Sequence, residues 1–285
     1  MFDVAAPRRA ERAKREKQER AADSEDGETG DDNHRDRVLE VRLHRSGTVT
    51  MPERPRNFPA RVEAAIFDFD ETMIDLERQH TAAHARLCRA MGSRYEDMSE
   101  EFRTRSGRRV IDDVRDMRSI FGWPRPIDDL LAERQRYFDE EIAASTDLAL
   151  MPGVMSTVIA LHAHGITLAI ASSAVRSSIE TVLRRFDLLH LFAVIVDGSE
   201  VERGKPDPQA YLVTAGRLGV DPAQCVVFED AAVGVRAAKA AGTYCIAVRN
   251  PRAQTFQDLS PADMIVSSFD EIDADWFATS SSNSR

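Results

Sequence analysis

Short apolar runs recur along the chain after residue 60, and the way they are spaced and terminated restricts the fold more than any other feature. Five are clear: "VEAAIFD" (62–68), "ITLAIAS" (166–172), "FAVIVD" (192–197), "CVVFED" (225–230) and "TYCIAV" (243–248). "DMIVSS" (263–268) is a weaker sixth. They are rich in Val and Ile and mostly continuous rather than alternating, as strands read when both faces of a sheet are covered. Helical stretches separate them, among them "VRSSIETVLRRFDL", "PDPQAYLVTAGRLG" and "AAVGVRAAKAAG". Strand and helix repeated this way predict an α/β fold, a doubly wound (Rossmann-like) parallel sheet.

Residues 76–151, between the first two strands, are too many for one crossover helix or a plain loop. They carry amphipathic patterns, "ERQHTAAHARLCRAMG" and "IDDLLAERQRYFDEEIAA", and predict a helical cap domain inserted into the core. Pro152 and Gly153 mark the return. The core is expected over 59–75 and 152–275. Residues 1–58 are read as a disordered charged tail, because segments such as "DSEDGETGDDN" have too little apolar surface to offset ordering entropy. A marginal helix is expected over "PRRAERAKREKQERAA", and Met51 is a candidate initiator just ahead of the ordered part. Residues 276–285 are expected to be a short disordered tail.

With 285 residues, 42% of them hydrophobic, there is ample material for a core. A net charge of -10 argues against non-specific nucleic-acid binding, which needs cationic surface. No stretch has the apolar length of a membrane span, and the N-terminus lacks a secretory h-region. Cys88, Cys225 and Cys245 form no CxxC pair and suit free thiols in a reducing compartment. The expectation is a cytoplasmic protein, monomer or weak dimer, without a nucleic-acid or membrane partner.

The strand ends carry the chemistry. In doubly wound sheets, ligands bind outside the carboxyl ends of the strands. There this chain puts Asp68 and Asp70, then Ser172, then Lys205 in "GKPDP", then Glu229 and Asp230. Asp68 and Asp230 could share a dry crevice only with a cation between them, and hard oxygen ligands suit Mg²⁺. Lys205 adds a fixed positive charge. Such a site is built to hold a dianionic phosphate beside a carboxylate nucleophile.

Four elements in order, "DFDET", "IASS", "GKPDP" and "FEDAAVGV", make the chain resemble the haloacid dehalogenase superfamily over about residues 62–272. Within it, the likeness is to the branch of phosphatases and β-phosphoglucomutase-like enzymes. The resemblance implies an Mg²⁺-dependent phosphatase acting on small sugar- or polyol-type phosphomonoesters. It implies Asp68 as the nucleophile that forms an aspartyl-phosphate. Asp70 is then general acid and base, which favours phosphoryl transfer over dehalogenation. Asp68, the backbone of Asp70, Asp230 and Glu229 would hold the metal, with Glu229 acting directly or through water. Lys205 would neutralise the transferring group, and Ser172, with Ser173 competing, would bind a phosphoryl oxygen. Thr72 would offer its N–H and hydroxyl to the phosphate.

Asp75 and His80 are similar to positions at the junction of core and cap, where the histidine couples closure to the acid/base residue. His80 and His84, spaced i, i+4, have no third metal ligand nearby. In "RTRSGRRVIDDV" (103–114), Arg108 or Arg109 would reach a substrate anion with a guanidinium fork, unless the helix is merely solvated. In "SSAVRSS", Arg176 is the one charge, whereas mutases of the branch carry a more polar cluster there. That departure ranks a phosphosugar mutase second to a phosphatase. A third reading, a non-catalytic phosphate-binding module, is motivated by Glu71, where the family usually has glycine. Its side chain is expected to turn toward solvent or the cap hinge.

Overall fold

The computed structural model describes residues 53–104, 107–251, 253 and 256–278. The helix expected within the first 22 residues, Met51 and residues 279–285 lie outside them. Among the described residues there are six strands: β1 (Ala64–Phe67), β2 (Thr167–Ala171), β3 (Phe192–Val196), β4 (Cys225–Glu229), β5 (Tyr244–Val248) and β6 (Met264–Val266). They form one sheet in the order β3-β2-β1-β4-β5-β6, with every pairing parallel. The order reverses at β1, which makes its carboxyl end the switch point where a doubly wound sheet opens a crevice. Phe67 is in register with Ile170 on one side and Phe228 on the other. The strands that end in Asp68, Ser172 and Glu229–Asp230 therefore finish almost level.

Both faces of the sheet are covered, which explains the unalternating strand sequences. Ala65 and Phe67 join one apolar cluster, with Ile170, Val226 and Phe228. Ala64 and Ile66 point the other way, into a second cluster with Ala169, Val227 and Cys245.

Helices α1 (Glu77–Ala90), α2 (Glu100–Thr104), α3 (Val110–Phe121) and α4 (Ile127–Ala144) all lie between β1 and β2. They bury a cluster of their own, including Leu87, Phe102, Val114, Met117 and Leu130. The crossovers of the core use α5 (Val154–Ala163), α6 (Arg176–Arg185), α7 (Gln209–Leu218) and α8 (Ala232–Ala240). Small residues on α8, Gly234, Ala237 and Ala238, are buried and let it lie close on the sheet.

The core is wider than the sequence predicts. Phe58 is 6% exposed and meets the rings of Tyr244 and Phe277 at 4.9 and 5.1 Å between centroids. Trp276 and Phe277 are also buried. The expected boundaries at 58/59 and 275/276 thus cut through one aromatic cluster. The polar composition on either side hides the few rings that anchor each end. Among the described residues, no helix is long and apolar enough to cross a membrane.

Candidate active site

At the carboxyl end of the sheet, Asp68, Glu229 and Asp230 each place an oxygen within 4.8 Å of the others, an acidic cluster that could hold a metal ion. Lys205 reaches it from the segment after β3. Its Nζ donates to Asp68 Oδ1 at 2.5 Å and to Glu229 Oε1 at 2.6 Å. Three buried carboxylates against one ammonium leave an excess of negative charge, and all the donors are hard oxygens. That set suits a divalent cation of the Mg²⁺ type.

The electrostatics point the same way. Burial pushes the Asp68 carboxyl up to about 7, with Glu229 adding to the rise and Lys205 opposing it. Burial, then Glu229 and Asp68, hold Asp230 well above the ordinary carboxylate range. Lys205 is raised, because Asp68 and Glu229 outweigh its own burial.

The carboxylates are not equivalent. Glu229 is 1% exposed and has both oxygens engaged. Its Oε1 accepts from Lys205 and, at 2.6 Å, from the Tyr211 hydroxyl. Its Oε2 accepts from the backbone N–H of Asp230 and Ala231 at 3.0 and 3.1 Å. A Cβ at Gly234 would fall 1.7 Å from Glu229 Oε1, so this carboxylate fits only because residue 234 is glycine. Glu229 thus anchors Lys205 beneath the cluster.

Thr72 departs from expectation. It is fully buried, and its hydroxyl donates to Asp230 Oδ1 at 2.8 Å and lies 3.3 Å from Asp68 Oδ2. The hydroxyl ties two carboxylates together and is not presented to a phosphate.

Asp70 belongs to a second network. Its Oδ2 lies 3.0 Å from His80 Nε2, and His80 Nδ1 lies 2.5 Å from Arg134 Nη2. A guanidinium only donates, so Nδ1 must accept, and the imidazole proton sits on Nε2, facing Asp70. Arg134 is 1% exposed and lies with its guanidinium 4.8 Å from the centroid of Phe138. Burial lowers Arg134 to about 10, which still leaves it charged. Asp70 Oδ1 is buried without a hydrogen-bond partner among the described residues. Sequence reasoning missed Arg134. Its signal was its spacing: Leu130, Arg134, Phe138 and Ile142 are the buried positions of α4, and one of the four is charged.

A cavity of about 130 Å³ joins the two networks. Asp68, Asp70, Ser172, Ser173 and Asp230 line it from the core, and His80, Tyr95, Phe102, Arg103, Arg108 and Val110 from the inserted helices. Ser172 accepts from Ala174 N at 3.0 Å, and Ser173 donates to the Gly107 carbonyl at 3.1 Å. Of the two adjacent arginines, Arg108 lines the cavity, held by Asp116 at 3.2 Å. Arg109 does not line it. It pairs with Asp112 and donates to the carbonyls of Val201 and Glu202. Arg176 is also elsewhere, bonded to the Ile195 carbonyl and Glu200 at 2.6 Å each. A guanidinium fork fits carbonyls and carboxylates as well as phosphate, and both residues meet such acceptors first.

Glu71 takes a left-handed backbone, φ 65°. Its Oε1 accepts from Leu76 N at 3.1 Å and its Oε2 from Asn250 Nδ2 at 2.8 Å. Leu76 caps the start of α1, so the side chain bonds into the hinge, while Glu71 also lines the cavity rather than facing solvent. Burial, with Asp75 and Asp70 adding to it, pushes its carboxyl up to about 8. Asp75 lies in the same hinge and accepts from Glu77 N at 3.3 Å.

A sequence profile of the haloacid dehalogenase-like hydrolases matches residues 62–242. Validoxylamine A 7'-phosphate phosphatase of Streptomyces hygroscopicus subsp. limoneus is 32% identical over 213 residues, 74% of this chain and 95% of that protein. Hexitol phosphatase B of Escherichia coli K12 is 32% identical over 225 residues, 76% and 96% of the two chains. Among solved structures, CbbY of Rhodobacter sphaeroides in complex with phosphate superposes with a TM-score of 0.64 at 27% identity, over 73% of this chain and 95% of that one.

Proposed function

This chain belongs to the haloacid dehalogenase-like hydrolases, and from that premise we propose that it is an Mg²⁺-dependent phosphatase of small sugar- or polyol-type phosphomonoesters. The observation that carries the reading is the division of labour between two aspartates one residue apart. Asp68 is bonded to a buried lysine and Asp70 to a neutral histidine. Two carboxylates in such different settings suit two different roles in one reaction.

Lys205 holds Asp68 Oδ1, fixes the carboxylate and favours its ionised form against the pull of burial. Asp68 then attacks phosphorus through its other oxygen, and the phosphorus–oxygen bond to the leaving group breaks. Asp70, which lines the cavity, delivers a proton to the departing oxygen, while His80 Nε2–H holds the carboxyl through Oδ2. In the second half, Asp70 takes a proton from the water that attacks the aspartyl-phosphate, which releases phosphate and restores both carboxyls. Ser172 contributes a hydroxyl at the cavity wall. Asp68, Asp230 and the Asp70 backbone would hold Mg²⁺, with Glu229 acting from behind through Lys205. The ion would neutralise charge on the phosphate and the carboxylates.

The substrate class is supported by relatives named as phosphatases of a hexitol and of validoxylamine A 7'-phosphate. A mutase must hold a second phosphate at the far end of its substrate. Arg109 and Arg176 are committed elsewhere, which disfavours that reading. The three cysteines are buried free thiols, in keeping with a reducing, cytoplasmic setting. The test is incubation with Mg²⁺ and a panel including a hexitol phosphate and β-glucose 1-phosphate. Free phosphate is the expected product, and conversion of glucose 1-phosphate to glucose 6-phosphate without phosphate release would reverse the assignment.

A further inference from the structure

We infer that Arg109 is the latch of the inserted helical domain, a positioning residue that fastens the loop before α3 onto the segment carrying Lys205. The argument starts from how the guanidinium is aimed. Asp112, in the first turn of α3, takes Nε at 2.8 Å and Nη2 at 3.0 Å, a two-pronged grip that fixes the fork. The remaining nitrogen, Nη1, donates to the carbonyls of Val201 and Glu202 at 2.8 and 2.9 Å. The side chain is 12% exposed; its bonds to Asp112 and Val201 are partly buried, and the one to Glu202 lies at the surface.

The receiving segment is itself braced. Glu200, next to Val201, is held by Arg176 at 2.6 Å and by Arg217 at 2.5 Å. Val201 is buried in the core cluster on that face of the sheet. Three residues beyond Glu202 comes Lys205, whose ammonium holds the proposed nucleophile. The socket for Arg109 and the anchor of Asp68 therefore lie on one short stretch.

A second contact seats the same loop. The Gly107 carbonyl accepts from Ser173 Oγ at 3.1 Å. Gly107 has φ 76°, and a Cβ there would lie 2.7 Å from Val233 Cγ2 at the start of α8. The loop is thus pressed against the core at both ends, and the cavity lies behind it. Arg109 touches neither the cavity nor the acidic cluster. Its effect is to hold water out of the site and to keep the Lys205 segment in place while Asp68 reacts.

The kinetic consequence rests on the phosphatase reading; the structural one does not. A hydrogen bond to a charged group is worth about tenfold or more in an equilibrium constant. Arg109→Ala should lower kcat for p-nitrophenyl phosphate with Mg²⁺ about tenfold, with a smaller change in KM. Amide exchange in the free protein should quicken about tenfold in both 107–110 and 199–205. Arg109→Lys, with one compact ammonium, should lie between, and it serves if the alanine variant does not fold. A merely structural arginine predicts a lower Tm with kcat and exchange in 199–205 unchanged, and that result overturns the latch. Should the wild type not hydrolyse the ester, the phosphatase reading fails, while the exchange pattern still decides the latch.

Discussion

His80 Nε2 lies 3.0 Å from Asp70 Oδ2, so a side chain on the first inserted helix holds the residue proposed as acid and base of the core. Arg134 fixes the direction of that bond by donating to the opposite ring nitrogen. The inserted helices therefore do more than cover the site: they engage one oxygen of Asp70 and leave the other, buried Oδ1, without a hydrogen-bond partner among the described residues.

If this relay serves acid catalysis, its loss should depend on the leaving group. His80→Gln should lower kcat about a hundredfold for an alkyl phosphate such as a hexitol phosphate. It should cost much less for p-nitrophenyl phosphate, whose leaving group needs little protonation. Steady-state kinetics on both esters check this, and equal losses would show that His80 acts only by packing on Phe138.

Thr72→Val keeps the shape of the side chain and removes the hydroxyl that joins Asp230 to Asp68. Residues that orient metal ligands are worth about ten- to a hundredfold in affinity. The Mg²⁺ concentration for half-maximal activity should rise by about tenfold, with a smaller fall in the maximal rate. A titration of activity with Mg²⁺ measures both.

Gly234→Ala should be among the most damaging small substitutions in the core. The added carbon would overlap Glu229, which has buried bonds to Lys205, Tyr211 and two backbone amides. Overpacking alone costs about 1–3 kcal/mol, and displacing Glu229 would also take from Lys205 one of the two carboxylates that hold it. Urea unfolding should show a loss of about 3 kcal/mol or more, together with loss of turnover.

The acidic cluster also predicts a pH trend for metal-free protein. The Asp68 carboxyl rises from 3.8 unfolded to about 7 folded, and burial holds Asp230 well above the ordinary carboxylate range too. Between those values the folded state binds more protons than the unfolded one, so stability falls as pH rises through that window. A divalent cation held by the cluster would replace the protons. The increase in Tm on adding Mg²⁺ should therefore be larger at about pH 7.5 than at about pH 5. An equal increase at both would mean that the ion binds away from Asp68 and Asp230.

Much of this molecule is legible in the sequence because burial on both faces writes itself as unbroken Val and Ile runs. Once β1, β2 and β4 are recognised as parallel neighbours, Asp68, Ser172, Glu229 and Asp230 must come together. Lys205 follows from its place after β3. What a one-dimensional reading could not supply is the destination of long side chains. Arg108, Arg109 and Arg176 carry the same fork and all meet protein acceptors, and only the fold decides that Arg108 alone of the three lines the cavity. Arg134 was hidden for a related reason: a single arginine in an amphipathic helix reads as solvated until its i, i+4 neighbours prove to be the buried ones. Phe58 and Trp276 were lost at the edges, where polar flanks outweigh a few aromatic rings.

The central claim is that Asp68 becomes covalently phosphorylated. It is tested most directly by quenching the enzyme during turnover of a hexitol phosphate with Mg²⁺, reducing with borohydride, and mapping peptides by mass spectrometry. An acyl phosphate is reduced to an alcohol, and a free carboxylate is not. The account predicts a reduced side chain at position 68, absent without substrate. Reduction at another carboxylate, or none during sustained turnover, would contradict it.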